Sequence, residues 1–279
     1  MGIDPPCGCL GKAAGSGIEG VDVTVESVQL LWTGGWDSTF RLCELALIER
    51  KQVQPIYLLD ERGSQQLEIK TMRKLRIQLD ERGAAGLILP TTIFDARAHG
   101  PSPDLQRCWD RLLAKYGKLG GQYLKLAYMG DLLDWRDIEV SWARGEVNEA
   151  LVRALFLDPD VDAKTHEMTN TDEGWLFRRF RFPTLRYTKG DMREISEQMG
   201  FLDLLQRTWF CQAPVRGRPC GECRPCQLAP QTGEKVHRVS RTELRARATA
   251  KKARRMARGL AGKVNRVVIR RYWGDTRTK

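Results

Sequence analysis

The sequence predicts a doubly wound α/β fold with a mostly parallel sheet, closed by a four-cysteine knuckle and followed by a basic helical tail. Three observations lead there. Between residues 28 and 89, short apolar runs alternate with amphipathic stretches in the order strand, helix, strand, helix, strand, as in a parallel sheet with crossover helices. The first run, Val28 to Trp32 with only Gln29 polar, passes into a glycine turn, Thr33-Gly34-Gly35-Trp36-Asp37-Ser38-Thr39, that opens a helix. Far downstream, Cys211, Cys220, Cys223 and Cys226 are spaced Cys-x8-Cys-x2-Cys-x2-Cys.

Residues 1–27 are rich in glycine and proline without apolar periodicity and read as a flexible arm. Cys7 and Cys9 in it are either metal ligands or incidental. Gly15-Ser16-Gly17-Ile18-Glu19-Gly20 matches the dinucleotide fingerprint by letter, but no strand precedes it and Val21 to Val25 alternates like a strand, so the match is rejected. After the glycine turn, Phe40, Leu42, Leu45 and Ile48 mark a helix, with Asp37 or Ser38 as its N-cap. Val53 to Leu59 is the second strand and ends in Asp60. Ser64 caps a helix reaching about Glu81, with Leu67, Met72, Leu75 and Leu79 on its apolar side, and Gly86 to Leu89 is the third strand.

Thr91 to Pro103 reads as a loop in which His99 is a surface residue. Helices over Asp104 to Tyr116 and Gln122 to Trp135 flank a hinge at Gly117 to Gly121. Ile138 to Trp142 is the next strand, Ala143-Arg144-Gly145-Glu146 the loop at its carboxyl end, and Val147 to Leu157 a helix. Asp158 to Gly174 is an acidic loop; Asp158, Asp160 and Asp162 start like a calcium loop but lack the glycine and glutamate that complete one. Trp175 to Phe182 alternates like a strand closed by Pro183-Thr184-Leu185. Thr188-Lys189-Gly190-Asp191 then opens a helix to Met199 through a near capping box.

Composition sets the class. At 279 residues the chain can bury a real core, and no apolar run approaches the ~18 residues of a membrane span. No signal peptide is visible, and Pro6 stands where a myristoylation signal needs serine or threonine, so the expectation is a cytoplasmic protein with no membrane partner. The net charge of +11 belongs to the tail: residues 235–279 hold 16 Lys and Arg against Glu243 and Asp275, while the 234 residues before them hold 30 basic and 33 acidic side chains. The expected division is therefore an arm (1–27), a nucleotide-binding domain (28–210), a metal knuckle (211–234) and a basic helical tail (235–279).

The glycine turn and the cysteines carry the chemistry. Successive N–H groups at the start of a helix favour an anion, a phosphate or pyrophosphate, and Thr33, Ser38 and Thr39 add hydroxyls. No glycine-lysine-serine/threonine follows, which excludes the loop of the common nucleoside triphosphatases. Lys189, in the first turn of its helix, is placed to reach a bound phosphate. Four thiolates at Cys211, Cys220, Cys223 and Cys226 suit a closed tetrahedral structural Zn²⁺ site; an iron-sulfur cluster uses the same ligands, and a disulfide fits poorly in a reducing compartment. Cys43 and Cys108 fall in helical patterns as core thiols.

The turn resembles the Ser-Gly-Gly-x-Asp-Ser signature of the pyrophosphate-loop (PP-loop) ATPases, with Thr33 for the serine. Together with Pro183-Thr184-Leu185, Thr188-Lys189, Trp209-Phe210-Cys211 and Cys220-Gly221-Glu222-Cys223-Arg224-Pro225-Cys226, it resembles the 7-cyano-7-deazaguanine synthase family over roughly Val28 to Leu228. The resemblance implies an adenine nucleotide α-hydrolase-like fold and an enzyme that uses ATP with Mg²⁺ to adenylate the carboxylate of 7-carboxy-7-deazaguanine. Ammonia then attacks the acyl adenylate, and a second activation dehydrates the amide to a nitrile. It implies an ATP site of Leu31, Trp32, Thr33, Gly34, Gly35, Trp36, Asp37, Ser38 and Thr39, with Leu59 and Asp60 placed by position for adenine or ribose. Asp37, Ser38 and Lys189 are the expected catalytic residues, Asp37 organising Mg²⁺ or water and Lys189 neutralising phosphate charge.

Departures fall at the acceptor side. Gly121-Gln122 stands where the family has an arginine-asparagine pair, and Ala143-Arg144-Gly145-Glu146 where it has an asparagine and acidic residues, so Gln122, Arg144 and Glu146 are the expected substrate contacts. Space there suits an amine larger than ammonia, including a protein amine as in relatives near antiviral operons. From Ser240 to Lys263 the tail reads as a helix suited to RNA, DNA or an acidic protein surface, against the alternative of a solvated extension. Its late aromatics, Tyr272 and Trp273, form no stacking platform, and a homodimer is a further expectation.

Overall fold

The computed structural model describes residues 27–60, 62–117, 119–156 and 168–229, and the single positions 240, 242, 243, 246 and 249. The arm with Cys7 and Cys9, the loop with Asp158, Asp160 and Asp162, and most of the 235–279 tail lie outside the described residues.

Five strands, β1 (Val28–Leu31), β2 (Val53–Leu59), β3 (Thr92–Asp95), β4 (Ile138–Glu139) and β5 (Phe180–Arg181), form one sheet in the order β3-β2-β1-β4-β5. Every pairing is parallel. The chain winds outward from β1 through β2 to β3, then returns to the other side of β1 for β4 and β5. The winding thus reverses between β1 and β4, and a parallel sheet opens a crevice at the carboxyl ends of the strands at that point.

Alternation along the strands builds a core on each face of the sheet. Leu30, Trp32 and Tyr57 point to one face, where α1 (Trp36–Cys43), α2 (Gln65–Leu79), α7 (Lys189–Gln198) and α8 (Leu202–Leu205) supply Phe40, Leu75, Met192 and Leu204. Leu31, Ile56 and Leu58 point to the other, under α3 (Pro103–Tyr116), α4 (Gln122–Leu132), α5 (Glu149–Leu155) and α6 (Asp172–Phe177). Each of these buried side chains contributes about 1.5–3 kcal/mol over its exposed form. No helix among the described residues is long and apolar enough to cross a membrane.

Several elements differ from expectation. The third strand is Thr92–Asp95, not Gly86 to Leu89, where Ile88 makes a single bridge to Val53. Pro90 has no N–H to give the ladder, so pairing breaks there and resumes against Ile56 to Leu59. The residues expected as a loop from Thr91 thus hold a strand. Trp175 to Phe182 is not one strand either: Trp175 to Phe177 end α6, and only Phe180 and Arg181 join the sheet. Thr171 caps α6 by accepting from the Gly174 N–H, and a Cβ at Gly174 would lie 1.8 Å from the Thr169 carbonyl oxygen, so this glycine fixes the turn into the helix. The first helix is capped at Gly35, with no side-chain cap from Asp37 or Ser38, and ends in a wide turn, Glu44–Ile48, that leaves Ile48 exposed. Ser64 precedes α2 but gives its hydroxyl to Glu68 instead of capping.

Candidate functional site

The turn after β1 sits at the crevice edge. Gly34 has φ +70°, and a Cβ there would lie 3.0 Å from Met72 Cγ and 3.3 Å from the Glu68 carbonyl oxygen of α2, so glycine alone fits this turn. The Ser38 hydroxyl, on the first turn of α1, lies 3.4 Å from the Thr33 N–H and 3.5 Å from the Thr33 hydroxyl. The Thr33 N–H donates to this hydroxyl, which donates in turn to the Gly35 carbonyl at 3.4 Å, and the first-turn N–H groups of α1 have no partner inside the helix, as at a helix start that receives an anion.

Three charged side chains converge beside the turn. Lys189 Nζ lies 3.1 Å from Asp37 Oδ1 and 3.5 Å from Glu146 Oε2, and all three are about three-quarters buried. The first contact is an ion pair by distance without hydrogen-bond geometry, and the buried Asp37 Oδ1 accepts no hydrogen bond among the described residues. Lys189 is delivered by the capping box of α7, where the Thr188 hydroxyl accepts from the Asp191 N–H at 3.1 Å and Asp191 accepts from the Thr188 N–H at 2.8 Å. Glu146 is delivered by the loop after β4, which is held to the chain after β5 by the Arg144 N–H donating to the Tyr187 carbonyl at 2.8 Å. Burial raises the Glu146 carboxyl above the usual glutamate range and Asp37 adds to this, while Lys189 and Arg224 oppose it.

Other expected site residues are placed differently. Leu31, Trp32 and Trp36 are core side chains, so only their backbones reach the turn. Thr39 is fully buried, and its hydroxyl accepts from the Trp32 indole N–H at 3.1 Å, bracing the turn from beneath. Leu59 and Asp60 end β2 at the crevice edge; the Asp60 carboxylate pairs with Arg62 at 2.7 Å, and its carbonyl accepts from Lys125 at 2.8 Å. Arg144 donates to the Leu185 carbonyl at 3.2 Å and braces the segment before α7. Gln122 stands exposed at the start of α4, and among the described residues no hydrogen bond or ion pair joins it to the turn.

The four cysteines meet. Cys211, Cys220, Cys223 and Cys226 place their sulfurs within 4.8 Å of one another, and all four are free thiols. Cys220 and Cys226 sulfurs lie 3.9 Å apart and those of Cys211 and Cys223 4.0 Å apart, close to the ~3.8 Å edge of a tetrahedron with metal-sulfur bonds of ~2.3 Å. The Cys220 N–H donates to Cys211 Sγ at 3.2 Å, and the Glu222 and Cys223 N–H groups donate to Cys220 Sγ at 3.5 and 3.3 Å. Burial pushes the Cys220 thiol up, but hydrogen bonds from the Glu222 and Cys223 backbone and from the neighbouring thiols outweigh it and bring it down to about 7, while burial pushes Cys211 up to about 11 and Cys226 up further. The cluster is thus suited to a four-coordinate metal ion. Of the tail beyond it, Thr242, Glu243, Ala246 and Thr249 are helical, and Glu243 pairs with Arg218 of the knuckle at 2.9 Å.

The sequence reading missed one buried network. Arg41 of α1 donates to both oxygens of Glu139 on β4 at 2.7 and 2.9 Å and to Glu44 at 2.6 Å, and Glu44 also accepts from Tyr187 and Arg186 at 2.8 Å. It locks α1, β4 and the segment before α7 together beneath the site. Its one sequence signal is a glutamate inside the apolar run Ile138-Glu139-Val140. No protein-family model matches this chain, and no curated protein matches it.

Proposed function

We propose that the chain is an ATP-dependent, AMP-forming carbon-nitrogen ligase of the 7-cyano-7-deazaguanine synthase-like, PP-loop kind. It adenylates the carboxylate of 7-carboxy-7-deazaguanine or a close analogue and lets an amine attack, giving the amide or the nitrile. The observation that carries this reading is the convergence of Lys189, Asp37 and Glu146 on the Thr33 to Thr39 turn at the sheet's switch point. In this reading the turn's N–H groups and the Ser38 hydroxyl hold the departing pyrophosphate, and Lys189 neutralises phosphate charge as the α–β bond breaks. Mg²⁺, when bound, adds charge neutralisation between phosphates and carboxylate, with Asp37 its ligand or the holder of its water. The cysteine knuckle holds a structural Zn²⁺.

Of the residues expected on the acceptor side, Gln122, Arg144 and Glu146, only Glu146 pairs with Lys189, and because the three depart from the family pattern a protein amine, as in antiviral conjugation, is the principal alternative to ammonia. Mass spectrometry of reactions with ATP, the deazapurine carboxylate and either ammonium or candidate proteins tests this. AMP and pyrophosphate with a nitrile, amide or protein adduct are expected; absence of carboxylate-dependent pyrophosphate release would contradict it.

A second reading, an RNA-modifying adenylating enzyme docked by its tail, is favoured by the 16 basic side chains of residues 235–279. Deleting those residues abolishes salt-sensitive RNA binding if it holds, and unchanged binding excludes the tail as the carrier.

A further inference from the structure

We propose, resting on the ligase reading above, that Glu146 receives the amine acceptor and takes its proton in the acyl-transfer step. The structure already holds a primary ammonium group at this place. Lys189 Nζ sits between Asp37 Oδ1 at 3.1 Å and Glu146 Oε2 at 3.5 Å, carboxylates supplied from opposite sides of the switch point. An aliphatic amine acceptor presents the same group to the same oxygens.

The two carboxylates are not equivalent. Asp37 belongs to the first turn of α1, beside the anion-binding N–H groups, and is committed to the nucleotide side. Glu146 belongs to the loop after β4, one residue beyond Gly145 at φ +81°, and keeps enough exposure for a solvent-borne amine to reach it. The charged groups that face it are Lys189 from α7, Asp37 from α1 and Arg224 from α9 (Arg224–Leu228), the helix that carries Cys226. The Glu146 oxygen that faces the Lys189 ammonium is the one that an acceptor's ammonium would meet.

The step balances. The lone pair of the neutral amine nitrogen forms the new bond to the acyl carbon. The bond from that carbon to the oxygen of AMP breaks, its electron pair leaving with AMP. That lone pair is freed when the bound ammonium gives one proton to Glu146, which passes it to water, and the second surplus proton, left on nitrogen after attack, is released to water. When Lys189 turns to the phosphates of bound ATP, the carboxylate it faced is released for the acceptor.

The test uses two readouts of the full chain: ATP–pyrophosphate exchange driven by 7-carboxy-7-deazaguanine, which needs no amine, and amide formation with ammonium chloride or hydroxylamine. In E146Q, the ratio of ammonium-driven amide formation to exchange falls roughly 100-fold, and the same ratio for hydroxylamine, uncharged at neutral pH, falls less than about tenfold. E146D recovers part of the ammonium rate. Equal loss of exchange and amide formation in E146Q would overturn the proposal by assigning Glu146 to the nucleotide or the fold, and unchanged amide formation would overturn it outright. Absence of exchange in the unsubstituted protein is a separate result: it removes the ligase reading, and this proposal with it.

Discussion

The backbone N–H of Trp209 donates to the Gly34 carbonyl at 2.9 Å, tying the cysteine knuckle to the glycine turn. The Trp209 indole N–H in turn donates to the Cys211 carbonyl at 2.8 Å. Three residues thus connect the four-cysteine cluster to the proposed phosphate cradle, and a Cβ at Gly35 would lie 3.6 Å from the Trp209 carbonyl oxygen. The knuckle is therefore tied to the glycine turn through Trp209.

Metal removal should act on both. Stripping the metal with a chelator, or C226S, lowers the thermal unfolding midpoint and weakens ATP binding by about tenfold or more, roughly 1.4 kcal/mol. Calorimetric titration with ATP, beside elemental analysis for one zinc per chain, checks this. Unchanged affinity in the metal-free protein would disconnect the knuckle from the turn.

Gly34→Ala forces a side chain into φ +70° and against Met72. It should destabilise the chain by about 1–3 kcal/mol in urea unfolding and abolish detectable ATP binding. A stable variant with normal binding would show that the turn adapts.

Glu139→Ala leaves Arg41 buried with only Glu44 and Glu49 as partners. Removing one member of a buried pair costs about 3–5 kcal/mol, so thermal unfolding should move far down. A loss within the range of an exposed ion pair would mean that the network is not what locks α1 to β4.

Lys189→Met should lower pyrophosphate exchange by about 10²–10³-fold, the size of a lost transition-state charge contact. Stability should fall by about 1 kcal/mol or less, because its ion pairs are partly solvated. Exchange at the unsubstituted rate would remove Lys189 from the chemistry.

Acidification should separate the two half-reactions. The Glu146 carboxyl lies above the usual glutamate range, so its basic form is lost at a higher pH than for a solvated glutamate as pH falls. Amide formation from ammonium should therefore stay level until Glu146 takes up its proton and decline from there, before exchange does, whereas free ammonia acting without Glu146 would fall with its own protonation over the whole range. Parallel pH profiles would contradict that role.

Local signals made much of the fold legible. Val53–Leu59 appears as the apolar run it is, the Thr188 and Asp191 capping box follows from residue types three apart, and the cysteine spacing places four sulfurs together. What failed was set by single residues acting on their neighbours: Pro90 moved the third strand forward, and the Thr171 cap with Gly174 turned an apparent strand into α6. Contacts between distant segments were not legible. Arg41 with Glu139, Lys189 with Asp37 and Trp209 with Gly34 exist because a parallel sheet gathers the carboxyl ends of its strands, and no spacing encodes which ends become neighbours.

The central claim is that the Thr33 to Thr39 turn supports cleavage of ATP between its α- and β-phosphates by an attacking carboxylate. Supplying 7-carboxy-7-deazaguanine with ¹⁸O in its carboxylate, and weighing the AMP formed, tests this most directly. One ¹⁸O transferred to the phosphate of AMP is the predicted result. Unlabelled AMP, or ADP and phosphate in its place, would contradict it.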